Sequence, residues 1–301
     1  MASECGNLTS VSAMPGQDAV IAGVANRGLW RSTNGGASWT ALGTGAGTDT
    51  ITNRPTSFVY DPTNSNTFWE SGIYNSGGVY RTTDNGATFQ RLGNVVHVDQ
   101  VAVDLTDPGR RTLVAGGHEQ TRTVWRSGDS GATWTNIGLN LPTGTGFSSN
   151  TIVINSTTYL VNSNQSWSGG SPGIYRTANS GASWTKVSSL GPTGNAAITS
   201  NGTIYWRTGN SVAKSTDQGQ TWTSVGNNLA ADPVALPDGR ILAASYSNVV
   251  VSADGNTWTN VGPNLPYTPA SLTFLAARNT VLVARSDCGN SVPNDAIYSL
   301  R

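Results

Sequence analysis

Charge is scarce in this chain. Asp, Glu, Lys and Arg make up 11% of its 301 residues and cancel to a formal net charge of zero. That balance argues against a general attraction to nucleic acid or an anionic membrane, while leaving room for a local basic site for an anionic sugar. No run of about 18 apolar residues occurs, so no membrane-spanning helix is expected. Helical periodicity is also missing, because no 3.6-residue pattern lasts beyond a turn or two. No signal peptide is visible, and Met1-Ala2 reads as a start set where a signal was removed. Cysteine and histidine are nearly absent, with only Cys5, Cys288, His97 and His118.

What is abundant is Gly (36 residues) and Trp (10), in a polar background rich in Ser, Thr and Asn. Short apolar runs of Val, Ile, Tyr and Trp punctuate it, which suits short strands joined by tight turns. The length exceeds the usual single-domain expectation. A repeat fold escapes that expectation, since each repeat packs only on its neighbours.

Six segments share one pattern: Ser32–Trp39, Thr82–Phe89, Ser127–Trp134, Thr177–Trp184, Ser215–Trp222 and the shortened Ser252–Trp258. Each follows S/T-x-D/N-x-G-x-S/T-W or a close variant, which resembles the Asp-box, or BNR repeat. The Asp or Asn is suited to accept turn N–H groups, the Gly to supply a positive φ, and the Trp to pack between sheets. The box therefore reads as scaffold, not as catalytic machinery.

The box starts lie 50, 45, 50, 38 and 37 residues apart. That spacing suits four-stranded blades. Blade three shows the plan, with strands expected at Val98–Leu105, Thr112–Gly117, Thr123–Ser127 and Thr133–Ile137. A seventh blade lacks a box; Ser271–Ala276, Val281–Ala284 and Ala296–Leu300 supply three strands, and the segment near Cys5 is expected to supply a fourth. The fold expected is all-β: one seven-bladed β-propeller domain over residues 1–301, closed by its N- and C-terminal strands. A six-bladed ring with irregular ends is the alternative. Such a ring brings its ends together, so Cys5 and Cys288 are expected to form a disulfide suited to an oxidising compartment. Glycosylation sequons begin at Asn7, Asn155, Asn164 and Asn201. Together these features favour secretion.

Function is sought where blades depart from the repeat. His97 immediately precedes the innermost strand of blade three, and His118 immediately follows its second strand. The two should meet at one face beside the channel and can serve as a general acid/base pair. At the place of His118 other blades carry Val24, Ile73, Asn164, Tyr246 and Ser286. Two ordinary surface histidines are the other reading. Loops 141–150, 165–173 and 50–54 could wall a groove. Arg31, Arg81, Arg126 and Arg176 repeat before each box, with Lys214 in blade five, and so read as structural. Arg54, Arg207, Arg240 and Arg285 are not repeated in this way, and any of them could bind a carboxylate through its planar fork.

The ring of boxes resembles sialidases, xyloglucanases, lectins and polysaccharide lyases. The Phe/Tyr-Arg-Ile-Pro motif of sialidases is absent, and two-propeller xyloglucanases are far longer. The chain is more similar to seven-bladed lyases that cut beside a uronate, such as ulvan lyases and L-rhamnose-α-1,4-D-glucuronate lyases. The His97/His118 spacing looks like their histidine pair. The resemblance implies Tyr159 as the catalytic tyrosine and Arg176 and Arg240 as substrate-binding arginines. By register, Asn164 and Arg207 lie nearer the channel ends of their strands. The implied chemistry is β-elimination without cofactor. His97, Asp99 and His118 are a possible zinc set in place of it. The expected protein is a secreted, monomeric lyase of a uronate-containing polysaccharide, with no nucleic-acid or membrane partner. A lectin or a protein-binding scaffold is the alternative.

Overall fold

The computed structural model describes residues 6–286 and 295–300, apart from 76, 165, 168, 210, 227 and 228. They form seven antiparallel sheets. In each sheet the strands pair in sequence order, from the channel outward. Six sheets have four strands, and the seventh has three among the described residues. Blade three comprises Val98–Val103, Leu113–Gly117, Val124–Ser127 and Thr135–Asn136, each within two residues of its expected bounds. Blade seven comprises Ser271–Leu275, Thr280–Arg285 and Ala296–Leu300, a regular sheet that rules out the six-bladed alternative. The proposed fourth strand near Cys5 and the Cys5–Cys288 disulfide fall outside the described residues.

The ring closes between blades one and seven. Val11 N donates to Ser271 Oγ (3.2 Å), and Ala13 N donates to Thr273 Oγ1 (2.9 Å). Asn7 Nδ2 reaches Ser286 Oγ at 2.7 Å. Second strands such as Leu113–Gly117 are buried along their whole length, because a neighbouring blade covers each face. The core is therefore a series of layers between blades. One joins Trp69 and Val79 of blade two to Val101, Val103, Leu113 and Ala115 of blade three. Where both faces are covered, strands read as continuous apolar runs, without alternation.

The boxes carry the outer half of this scaffold. In blade three, Gly131 N donates to Ser127 Oγ (2.8 Å), and Thr133 N donates to Asp129 Oδ1 (2.9 Å). Thr133 Oγ1 donates to the other Asp129 oxygen at 2.6 Å, and these bonds hold the carboxyl down to about 2. Where the box has Asn, its Oδ1 still accepts the backbone N–H but the side-chain bond reverses: Asn34 Nδ2 donates to Ser38 Oγ and Asn179 Nδ2 to Ser183 Oγ. Gly131 has φ +91°, and a Cβ there would lie 2.7 Å from Leu92 Cδ1. In blades one, four and five the cation before the box is an inter-blade strut. Arg31 Nη1 donates to Asn85 O, Arg176 Nε to Gln218 O, and Lys214 Nζ to Asp254 O.

Candidate active site

The site begins with a bulge. In blade one the innermost strand slips register between Leu8 and Ser10, in blade two between Pro55 and Ser57, and in blade three between Val98 and Gln100. The extra residues are Thr9, Thr56 and Asp99. Such a bulge re-aims one side chain. Thr9 Oγ1 bonds Gly23 O in its own blade (3.0 Å) and Pro55 O in the next (2.9 Å). Thr56 Oγ1 does the same with Ser71 O (3.0 Å) and Asp99 O (2.6 Å). In blade three the third bulge residue is a carboxylate, and it turns instead to an imidazole: Asp99 Oδ1 lies 2.9 Å from His118 Nδ1.

His118 follows the second strand of blade three, and its backbone N–H donates to His97 O at 2.7 Å. The two flanking positions do meet, as the spacing implies. The rings stack nearly parallel, with centroids 6.2 Å apart and planes 13° apart. The other imidazole nitrogen, His118 Nε2, lies 3.0 Å from Tyr74 Oη. Tyr74 comes from blade two, one residue past its second strand, with φ +56°. Its ring stands edge-on to both histidines, at 5.6 Å from His97 and 5.1 Å from His118. With Nδ1–H donating to Asp99, the neutral imidazole must present Nε2 as acceptor to the phenol. The result is a continuous chain, Tyr74 Oη to His118 to Asp99, across the junction of blades two and three.

The His118 side chain is 14% exposed. Burial depresses its pKa, but the hydrogen bond and charge of Asp99, with the charge of Glu119, outweigh burial, and the net shift is upward. Arg54, which opens the innermost strand of blade two, acts on His118 in the opposite sense. His118 Nε2 lies 3.8 Å from Glu119 Oε1.

Asn53, the residue before Arg54, bonds a second acid. Glu70 is fully buried, and Asn53 Nδ2 donates to its Oε2 at 3.4 Å. Glu70 Oε1 and Asn53 Oδ1 are both buried with no hydrogen-bond partner. Burial pushes the Glu70 carboxyl up to about 8, against the Asn53 hydrogen bond. Burial thus favours the neutral acid, whose proton would turn one of these unpartnered acceptor oxygens into a donor.

The other expected site residues lie elsewhere. Tyr159 opens the second strand of blade four, pairing with Val153 and Thr177, so it sits at the box end and not the channel end. Its hydroxyl accepts from Arg126 Nε (2.9 Å) and donates to Ser156 O, and its ring is wholly buried. Arg176 lies on the same side, beside the boxes of blades four and five. Arg240 lies in the turn before the second strand of blade six, paired to Asp238 at 2.7 Å. None of the three joins the histidines, because each stands at or beyond the far end of its strand. Asn164 does reach the channel face, where its backbone exchanges two 2.9 Å hydrogen bonds with Phe147. Arg207 lines the channel, a cavity of about 990 Å³, and pairs with Asp232 (3.0 Å). The zinc set finds no support in the geometry, since Asp99 engages His118 Nδ1 directly. Among the described residues no three His, Cys, Asp or Glu side chains group as metal ligands.

No family model matches the chain. Over 75 residues, 23% of the chain, it is 36% identical to a xyloglucanase of a Paenibacillus species, spanning 7% of that protein. The fold is similar to a GH74 xyloglucanase from Xanthomonas campestris, with TM-score 0.66 and 18% identity, over 98% of this chain and 54% of that one. An ancestral GH74 enzyme aligns with TM-score 0.62 and 17% identity, over 97% of this chain and 46% of that one. YCF48 bound to D1 peptide aligns with TM-score 0.61 and 16% identity, over 98% and 93% of the two chains. The ring is a seven-bladed propeller similar to those of xyloglucanases. This chain spans about half the length of the Xanthomonas enzyme and a small fraction of the Paenibacillus one.

Proposed function

We propose that this propeller is a carbohydrate-active enzyme that cleaves a rhamnose–glucuronate linkage in a secreted or extracellular polysaccharide by β-elimination. The observation that carries the reading is the Tyr74–His118–Asp99 chain, on the channel face and assembled from two blades. Elimination needs a base for the C5 proton, a cation beside the uronate carboxylate, and a proton for the departing O4 oxygen. Tyr74 stands at the outer end of the chain. Moving its proton to His118 Nε2 yields a phenolate beside an imidazolium that Asp99 stabilises. The phenolate takes the C5 proton. The C4–O4 bond then breaks, a C4=C5 double bond forms, and O4 takes the proton held by the His118 imidazolium, which returns His118 to its neutral form. Arg54 is the cation assigned to the carboxylate. No further reactant is consumed.

The similarity to xyloglucanases supports a polysaccharide as the substrate class. It also favours a second reading, in which the same face hydrolyses a neutral glycan. One assay separates the two. Ulvan, gum arabic and xyloglucan are each incubated with the protein, and both ultraviolet absorbance of the unsaturated product and new reducing ends are followed. Absorbance on a glucuronate polymer supports elimination. Reducing ends without absorbance would replace it by hydrolysis, and binding without either would make the propeller a lectin.

A further inference from the structure

Trp167 is 82% exposed, more than any other large hydrophobic side chain among the described residues. The box tryptophans are spent on the scaffold; Trp134 Nε1, for example, donates to Leu92 O and Gly131 O. Trp167 belongs to no box. It tips the excursion between the second and third strands of blade four, on the channel face. Its ring meets Phe147 edge-to-face, with centroids 5.6 Å apart and planes at 74°. That geometry is favourable for aromatic pairs and fixes the indole's direction.

The loop is built to hold this ring out. Ser166 and Gly169 exchange backbone hydrogen bonds of 2.9 and 3.0 Å, closing a turn with Trp167 in it. Gly170, at φ +133°, lies against Gly146; a Cβ on Gly170 would fall 2.7 Å from Gly146 Cα. Phe147 bridges Asn164 on one side and Thr121 on the other, and Ser148 N donates to Gln120 O at 3.1 Å. Thr121 is three residues beyond His118, a span of at most about 11 Å. The aromatic pair is thus tied by backbone to the loop that carries the imidazole.

Along its loop the described residues flanking Trp167 are small and polar: Ser166, Gly169, Gly170 and Ser171. A protein-docking patch needs contiguous apolar surface, which these residues do not supply. A flat aromatic face among hydroxyls and backbone amides matches a pyranose ring, which has an apolar C–H face edged by hydroxyls. We propose that Trp167, braced by Phe147, is a stacking subsite for a sugar residue of the polymer, a few residues along the chain from the bond that is cut. This rests on the reading of the Tyr74–His118 face as a polysaccharide site.

The test compares wild type, Trp167→Ala and Trp167→Phe on ulvan, with unchanged thermal midpoints confirming intact folds. Trp167→Ala should raise KM about tenfold with kcat nearly unchanged, and Trp167→Phe should restore most of the loss. An unchanged KM for Trp167→Ala would overturn the subsite while leaving the cleavage site standing. If no polymer is cleaved, retardation in ulvan-containing native gels decides. Retardation lost in Trp167→Ala supports the subsite although the elimination reading has failed; equal mobility of the two proteins overturns the subsite.

Discussion

Blades two and three have the same backbone at their inner bulge and put it to different uses. Blade two places Thr56 there, and its hydroxyl bolts the blade to Asp99 O of its neighbour. Blade three places Asp99 there, and its carboxylate leaves the inter-blade seam for His118. The seam between blades three and four is then held one residue along, where Gln100 Oε1 accepts from Thr151 N at 3.0 Å. One register position thus changes from fastener to site, and its neighbour takes over the fastening. At the box end no such exchange occurs; Asp84, Asp129 and Asp217 all make the same bonds.

This contrast can be broken in several places. The largest effect is expected from His118→Ala, which removes the centre of the proton chain. Cleavage should fall by about 10³ or more, within the range for a lost acid/base group. A residual rate near wild type would move the chemistry away from blade three. Tyr74→Phe keeps the ring against both histidines and removes only the hydroxyl. A loss of about 10² in kcat, with KM little changed, is expected for a phenol that transfers the proton; a rise in KM alone would make Tyr74 a binding residue. At the opposite face, Gly131→Ala forces a Cβ against Leu92 at a positive φ. It should cost about 1–3 kcal/mol of stability, read by denaturant unfolding, with kcat unchanged in the folded protein.

The smallest effect concerns the buried acid of blade two. Glu70 has a folded value near 8 against an ordinary value of 4.5. The folded state therefore binds a proton that the unfolded state releases, and its contribution is complete below pH 4.5 and is lost as pH rises through about 8. Thermal midpoints of Glu70→Gln, which keeps the neutral shape, should decline less between these limits than those of wild type. Parallel curves would show that Glu70 is already ionised.

The ring was legible because its punctuation repeats. Each box carries its own turn chemistry, and the spacing between boxes fits four short strands. The meeting of His97 and His118 was legible too, since antiparallel pairing fixes which residues flank a strand's channel end. Tyr74 was not, because it stands one residue past Ile73, the position that register aligns with His118. It occupies the left-handed turn position where blade one has Asn26 and blade three has Glu119. A tyrosine at that turn was the available signal. The order of residues in similar lyases points to Tyr159, yet its place at the start of a strand sends its hydroxyl to Arg126. The role of Asp99 needed the bulge register, which no side-chain pattern reveals before the strands are paired.

The most direct measurement is the pH dependence of kcat/KM on a glucuronate polymer for wild type and Asp99→Thr, the residue blade two carries at the same bulge. His118 must be neutral to accept the Tyr74 proton, so activity should rise as His118 deprotonates. Asp99 holds that pKa up. Asp99→Thr should therefore shift the acid limb to lower pH and lower the plateau. An acid limb that stays in place would contradict the Tyr74–His118–Asp99 chain as the group that governs catalysis.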